Sequence, residues 1–510
     1  MGDNRPVLRP AILLTAAAVV LTACGGSGEA TAPEPSATTM ADQPDNPVVV
    51  ENQQEGDPTW RKAIAHADDP EQLSAYADRS SVTPGDPVGL HVSTTAAKYT
   101  VTAYRMGWYG GARARKVWTS PEQPGTRQTE QGFLEATRTP YAKWNQSLQV
   151  DTADWVPGMY LFRLTAANGA EWLVPLVVRS PDAEGRLVFI MSDLTWQAYN
   201  EWGSRSAYLS EEGGFEDRSR AVSFSRPYAN GYGTGKYLAY EQPVVALAER
   251  LGVPVSYVAA SDLSDGSDEL LRGAEGVVSL GHNEYWTQGE RAAVTRARDA
   301  GTDLGFLGAN TMYWRVRWQP DGPEGLPLQV IYKSADEDPD ETRDTTARFR
   351  DPPDPRPERA LVGMDYECYP ATGTYTIATP NFFLFDGTDT SRTYAGLVDV
   401  EVDRAYPLPG TPRTLQVVAN SPTTCSAAAT VSNSTYYTVP SGAGVFAVGT
   451  MGWVLRALRR DAPKPTTRFA EKVSSNLLLA MMRGPMGQEH PSEPNLKSFD
   501  LSPVNTTGAA

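Results

Sequence analysis

Two hydrophobic periodicities divide the chain. Between about residues 57 and 180, apolar positions recur every second residue: Val88, Leu90 and Val92; Tyr99, Val101 and Ala103; Leu148 and Val150; Tyr160, Phe162 and Leu164. That alternation predicts strands with one buried face. Pro84-Gly85, Pro157-Gly158 and Asn168-Gly169 mark turns. An Asn-Gly between two strand-like runs predicts a hairpin. With no helical pattern of useful length, the expected unit is an antiparallel β-sandwich of immunoglobulin-like type. Within it, Arg105-Met-Gly-Trp-Tyr-Gly-Gly111 places two aromatics among glycines. This is either a ligand surface or a loop packed on the next domain.

From about 185 to 485 the pattern changes to short apolar runs alternating with helical periods. Leu187–Met191, Val255–Val258, Val277–Leu280 and Leu304–Leu307 read as strands buried on both faces. Tyr240–Leu251 carries Val244, Val245, Leu247, Ala248 and Leu251 on one helical stripe, and Phe469–Met482 reads as a closing helix. Strand and helix in alternation predict a doubly wound α/β sheet. Later strands are expected at Phe382–Phe385, Leu397–Val402 and Val445–Val448. Glu212–Ser225 reads as a surface excursion and 326–361 as a charged, Pro-rich insertion. The polar residues 486–510 are expected to be disordered. The predicted class is multidomain, β followed by α/β.

The stretch Gly276–Trp318 organises the second unit. Thr287 and Glu290 form a T-x-x-E box that starts a helix, and Gly301 stops it. Two loops therefore leave the carboxyl ends of neighbouring strands. One carries His282, Asn283 and Glu284; the other carries Asn310, Tyr313 and Trp314. Ligands of open α/β sheets bind at that edge. The plain alternative is a structural loop histidine beside a solvated carboxylate.

The amino terminus adds a compartment. Arg5 and Arg9 precede an apolar run, Ala11–Leu21, too short to span a bilayer and shaped like a signal-peptide core. It ends in Leu21-Thr22-Ala23-Cys24, which resembles the bacterial lipoprotein cleavage box. Residues 1–23 are thus read as a signal peptide, Cys24 as the lipidated first residue, and 24–56 as the lipidated cysteine with a flexible linker. The protein is expected to be exported and held on the outer face of the cell membrane through the bilayer. Cys368 and Cys425 remain, an even pair that predicts a disulfide in an oxidising compartment. The net charge of -16 argues against a nucleic-acid partner. An oligomer is compatible with the composition.

The chemistry is narrowed by what is missing. There is no G-x-S-x-G elbow, no cysteine after a strand at such an elbow, and no zinc, P-loop or dinucleotide motif in a suitable context. Only four histidines occur. The reactive groups at the presumed edge are the oxygens of Tyr199, Tyr228 and Glu284, with His282 beside them. Oxygen donors favour hard cations. A phenol that titrates near 10 needs a strong Lewis acid to ionise near neutrality, and ferric iron is one.

Several stretches carry a family resemblance: YRMGWYGG (Tyr104–Gly111), TWQAYN (Thr195–Asn200), SRPY (Ser225–Tyr228), GHNEYWT (Gly281–Thr287) and GANTMYWRVRW (Gly308–Trp318). The chain resembles the large (beta) subunit of bacterial N,N-dimethylformamidase, and more closely the actinobacterial proteins sharing its C-terminal domain. The resemblance implies a sandwich followed by a glutamine-amidotransferase-like (flavodoxin-like) α/β domain. It also implies one Fe3+ held by two tyrosines and a glutamate, acting on a small amide. Carried over by motif, the glutamate is Glu284, its neighbour is His282, and the first tyrosine is Tyr199. The second is placed at Tyr228, with Tyr232, Tyr237 and Tyr240 as alternatives. In this reading His282 moves the proton, and Asn283 or Asn310 bonds the developing oxyanion. No small subunit is found within the chain. A cell-surface binding or envelope-structural lipoprotein that keeps the fold without the metal is the competing expectation.

Overall fold

The structure is a computed structural model and describes residues 46–62, 64 and 69–499. The expected signal peptide and Cys24 lie outside the described residues. The expected linker does so only in part. Helix α1 (Pro47–Asn52) belongs to the fold: Asn46 caps it and donates to the Gly252 carbonyl at 2.6 Å.

The alternating stretch forms two antiparallel sheets. Among the described residues the first contains β1 (Leu73–Ala77), β2 (Val88–Thr94) and β5 (Leu148–Val150). The second contains β3 (Lys98–Met106), β4 (Ala114–Thr119), β6 (Gly158–Ala166) and β7 (Glu171–Val178), with Ser81–Val82 parallel at its edge. The Asn168-Gly169 turn joins β6 to β7, with Gly169 at φ 89°. Val88, Leu90, Val101, Phe162, Leu164, Trp172 and Val174 fill the space between the sheets. The second sheet departs from simple alternation, because its other face is also buried. Tyr104, Met106, Met159, Leu161, Leu173 and Val177 pack into the core of the following α/β part.

That α/β part is a mixed sheet. Its strands are β8 (Leu187–Met191), β9 (Val255–Ala259), β10 (Gly276–Gly281), β11 (Asp303–Gly308), β12 (Asp365–Tyr375), β13 (Tyr394–Arg404), β14 (Gln416–Cys425), β15 (Ala428–Thr438) and β16 (Gly444–Ala447). Among the described residues their order is β9-β8-β10-β11-β16-β15-β14-β12-β13. The run from β9 to β16 is parallel and the rest antiparallel. Alternate residues of β8 face opposite layers. Leu187, Phe189 and Met191 meet α3 (Gln242–Arg250) and α5 (Lys464–Met481). Val188 and Ile190 meet α2 (Asp193–Ala198) and α4 (Gln288–Asp299). Strands covered on both faces need the near-continuous apolar runs seen in the sequence. Phe383–Phe385, expected as part of a strand, is instead a single helical turn.

Helix α4 begins as expected, with Thr287 Oγ1 accepting from the Glu290 amide at 3.0 Å. The Glu290 carboxylate does not return the bond and is buried. The Cys368–Cys425 disulfide is present, with Cα atoms 6.2 Å apart, and ties β12 to β14. A second small sheet has the order Ala221–Ser223, Leu328–Val330, Trp314–Gln319, Tyr285–Thr287; its first two strands come from the segments expected to be a surface excursion and an insertion.

Two buried polar attachments hold the parts together. Arg105, in the aromatic-glycine motif of β3, forms a buried bidentate ion pair with Glu249 of α3, at 2.9 and 3.0 Å. Its motif is thus a packed junction. At the other end, the stretch expected to be disordered from 486 packs on the sheet as far as 499. Met486 is buried, and the side chain of Asn495 bonds both the N–H and the C=O of Val417. Asp303 anchors this return by accepting from the Gly444 and Met486 amides at 2.7 and 3.0 Å. Asp303→Ala is expected to cost roughly 2–4 kcal/mol, since it strands two buried N–H groups. Denaturant unfolding measures the cost. Hydrogen exchange should show protection lost first at 486–499. Among the described residues no helix is long and apolar enough to cross a membrane.

Candidate functional site

Three loops at the carboxyl edge of the parallel strands converge because small residues let them. Gly281 ends β10 with φ 56°, and a Cβ there would meet the Tyr240 carbonyl oxygen at 2.3 Å. A Cβ on Gly308, at the end of β11, would meet the Gly281 oxygen at 1.8 Å. Neither position admits a side chain. Thr195 Oγ1 in α2 accepts from the amides of Glu284 and Tyr285 at 3.1 and 3.3 Å. The Met312 and Trp314 amides donate to the carbonyls of Asn283 and Glu284 at 2.9 and 3.0 Å. Asn310 and Met312 hold positive φ, 56° and 59°. Such backbone persists only where surrounding bonds impose it.

Glu284 is the centre. Tyr199 Oη donates to its Oε2 at 2.6 Å, and Tyr208 Oη donates to its Oε1 at 2.8 Å. The two phenol oxygens are 3.1 Å apart. His282 Nε2 lies 3.2 Å from Glu284 Oε2 and 3.7 Å from Glu401 Oε2. Neither of its ring nitrogens makes a hydrogen bond of good geometry. Lys236 Nζ sits 3.8 Å from the centre of the Tyr199 ring, and Lys333 Nζ sits 3.1 Å from that of Tyr208. Tyr199 and Tyr208 are half-buried, whereas His282 and Glu284 are buried.

The charges follow from these neighbours. Burial, and then the negative charge of Glu284, push the Tyr199 and Tyr208 phenols well above their usual range. Burial opposes ionisation of Glu284, but the nearby His282, the charge of Lys333 and the Tyr199 hydroxyl together hold it low. Burial and then Lys236 push His282 below its ordinary value, which favours the neutral imidazole near pH 7. Burial and then Glu284 push Glu401 upward. Two carboxylates 3.2 and 3.7 Å from one imidazole nitrogen thus differ in protonation, the arrangement that separates an acid from a base.

Of the residues expected from sequence, Tyr199, His282 and Glu284 meet here. Tyr228 does not. Its ring lies edge-on to Trp196, with centroids 6.3 Å apart, and it interacts with Gln197. Arg226 and Pro227 explain why. The buried Arg226 guanidinium bonds the Gln197 carbonyl, and the Pro227 carbonyl accepts from Asn200. SRPY therefore braces TWQAYN from behind. Tyr232 is exposed, Tyr237 packs on Trp196, and Tyr240 sits 5.6 Å from the His282 ring. Tyr208 takes the second place because the Ala207 amide bonds the Ala198 carbonyl at 3.0 Å, folding 206–208 back over the end of α2. Its only sequence signal is Ala-Tyr-Leu between polar neighbours. Asn283 faces the buried Glu290 rather than the cluster, whereas Asn310 reaches Glu401. Glu401, on β13, was not foreseen.

The donor set suits a hard cation. Neighbouring oxygens around a small octahedral ion stand about 2.9 Å apart, given bonds of about 2.0–2.1 Å. The 2.6, 2.8 and 3.1 Å separations here match that spacing. Among the described residues no group of three or more His, Cys, Asp or Glu side chains could hold a metal ion.

Residues 100–464 match the family described as N,N-dimethylformamidase beta subunit-like, C-terminal. The chain belongs to this family. The N,N-dimethylformamidase beta subunit-like region covers most of the second antiparallel sheet and all of the central mixed sheet, and so every residue of the cluster. No curated relative matches the chain. One similar solved structure is a Paenibacillus sp. cycloisomaltooligosaccharide glucanotransferase complexed with cycloisomaltoheptaose. It is 13% identical with a TM-score of 0.14 over 52% of this chain and 34% of that one. The chain thus spans about a third of that structure, and a score so low carries no inference.

Proposed function

We propose that this protein is an iron-dependent hydrolase of small amides, cleaving the C–N bond. The observation that carries the reading is the meeting of two phenol oxygens and one carboxylate within 2.6–3.1 Å of one another, beside an unpaired imidazole. Family membership supports the reaction class. We read the two antiparallel sheets as an immunoglobulin-like sandwich and the helix-covered mixed sheet as glutamine-amidotransferase-like. The Leu21–Cys24 motif supports export and lipid anchoring to the outer face of the membrane.

Tyr199, Tyr208 and Glu284 would hold the Fe3+. When bound, such an ion supplies Lewis acidity toward an amide carbonyl and water. The remaining chemistry belongs to side chains. Neutral His282, held below its ordinary value by burial and by Lys236, takes a proton from the attacking water at a ring nitrogen. Glu401, kept protonated by burial and by Glu284, hands its proton to the departing nitrogen. Asn310 orients Glu401 rather than waiting free for an oxyanion.

The test is amine release from small formamides by iron-loaded protein. His282→Ala is expected to retain iron and lose about 10²–10⁴-fold in turnover. Loss of iron along with turnover would move His282 among the metal ligands. Unchanged turnover would remove it from the reaction.

A further inference from the structure

One chain of contacts behind the cluster has no part in that reaction. Lys333 Nζ lies 2.6 Å from Tyr285 Oη, which lies 2.5 Å from Tyr208 Oη, which reaches Glu284 Oε1 at 2.8 Å. The polarity of this chain follows from counting protons. An ionised carboxylate only accepts, so the single hydroxyl proton of Tyr208 is spent on Glu284. Tyr208 can then only accept from Tyr285. Tyr285 has spent its own proton and can only accept from Lys333. Every hydrogen bond points towards Glu284. Tyr199 has no such donor behind it; its hydroxyl faces Glu284 and Tyr208, and Lys236 approaches only its ring.

Lys333 is built for this place. It follows the short strand Leu328–Val330, its backbone is left-handed at φ 63°, and it is buried. Its Nζ lies 3.1 Å from the centre of the Tyr208 ring and 4.7 Å from that of Trp314. No carboxylate forms an ion pair with it among the described residues. A non-glycine residue persists at positive φ only where its surroundings over-determine it, and here the side chain is packed among three aromatic rings.

We propose that Lys333 and Tyr285 are positioning residues that make the two tyrosines of the cluster unequal. They fix the Tyr208 ring and deliver a hydrogen bond that Tyr208 Oη keeps when a cation displaces its own proton. Tyr199 receives none. The inference rests on the cation reading of the cluster, but its positioning half can be tested without any metal.

In metal-free protein labelled with ¹³C at tyrosine Cζ, the Tyr208 resonance, assigned through Tyr208→Phe, is expected to shift in both Tyr285→Phe and Lys333→Met. The Tyr228 resonance should stay in place in both. An unmoved Tyr208 signal overturns the proposal. In Fe3+-loaded protein, Tyr285→Phe should move the phenolate-to-iron absorption to longer wavelength, because a phenolate stripped of a hydrogen bond is the better electron donor. An unmoved band overturns the electronic half. A wild-type protein without any such band overturns the cation reading itself, and the ¹³C result then decides the positioning claim alone.

Discussion

Glu284→Ala is expected to abolish ferric-iron uptake and, with it, amide hydrolysis. The carboxylate is the shared acceptor of both phenols. Without it the two hydroxyls have only each other, 3.1 Å apart, and the site loses its single ionised donor. Burial then leaves two neutral phenols facing a cation, which neither can neutralise without losing a proton. The loss should exceed the roughly 10–100-fold typical of residues that merely support metal ligands. Iron content by metal analysis and amine release under the same conditions measure both effects. Retained iron would mean that Glu284 is a structural acceptor and that the cluster is a hydrogen-bond network.

The second large effect concerns stability. Arg105→Ala or Glu249→Ala is expected to cost roughly 3–5 kcal/mol, because each leaves an uncompensated buried charge. The Glu249 carboxylate also accepts from Asn52 and from the Tyr257 hydroxyl, both at 2.9 Å. Arg105 also bonds the Pro157 carbonyl and the Tyr109 hydroxyl. One ion pair therefore ties α1, the second antiparallel sheet and α3. Replacing both partners together, Arg105→Met with Glu249→Leu, should recover much of the loss, since an apolar pair removes the desolvation penalty. Denaturant midpoints of the three variants form the test. Single variants costing under about 1 kcal/mol would show that solvent reaches the pair.

What was legible in the sequence tracks the range of the interactions. His282 and Glu284 are two residues apart on a loop between two unmistakable buried strands, so linear spacing alone places them together. Val88-Gly-Leu-His-Val and Tyr160-Leu-Phe-Arg-Leu announce strands through alternation. That alternation could not reveal that Leu161 and Leu173 cover a second core, because it shows which residues are apolar and not what they meet. The small sheet stayed hidden for a related reason. Its pieces are three to six residues long, and Ala221 pairs with Val330 across more than a hundred residues. Lys333, just after Leu328–Val330, comes to the site through that sheet. Tyr228 drew attention because it sits in a recognisable motif. Yet the motif's role is to brace α2, and Tyr208 lies between two motifs in a stretch that carries no recognisable pattern. Glu401 lies more than a hundred residues from Glu284, on a strand at the far edge of the sheet. It reaches the site because the Met451 amide bonds its carbonyl and the Asn310 amide bonds the neighbouring Asp403.

The most direct measurement is the visible absorption and iron content of the purified protein after ferric loading, repeated on Tyr208→Phe and Tyr228→Phe. The account predicts iron in a one-to-one ratio with the chain and a phenolate-to-iron band. In Tyr208→Phe that band should be weakened or lost, and in Tyr228→Phe it should be unchanged. No iron and no band in the wild-type protein, or a band that survives Tyr208→Phe and disappears in Tyr228→Phe, would contradict it.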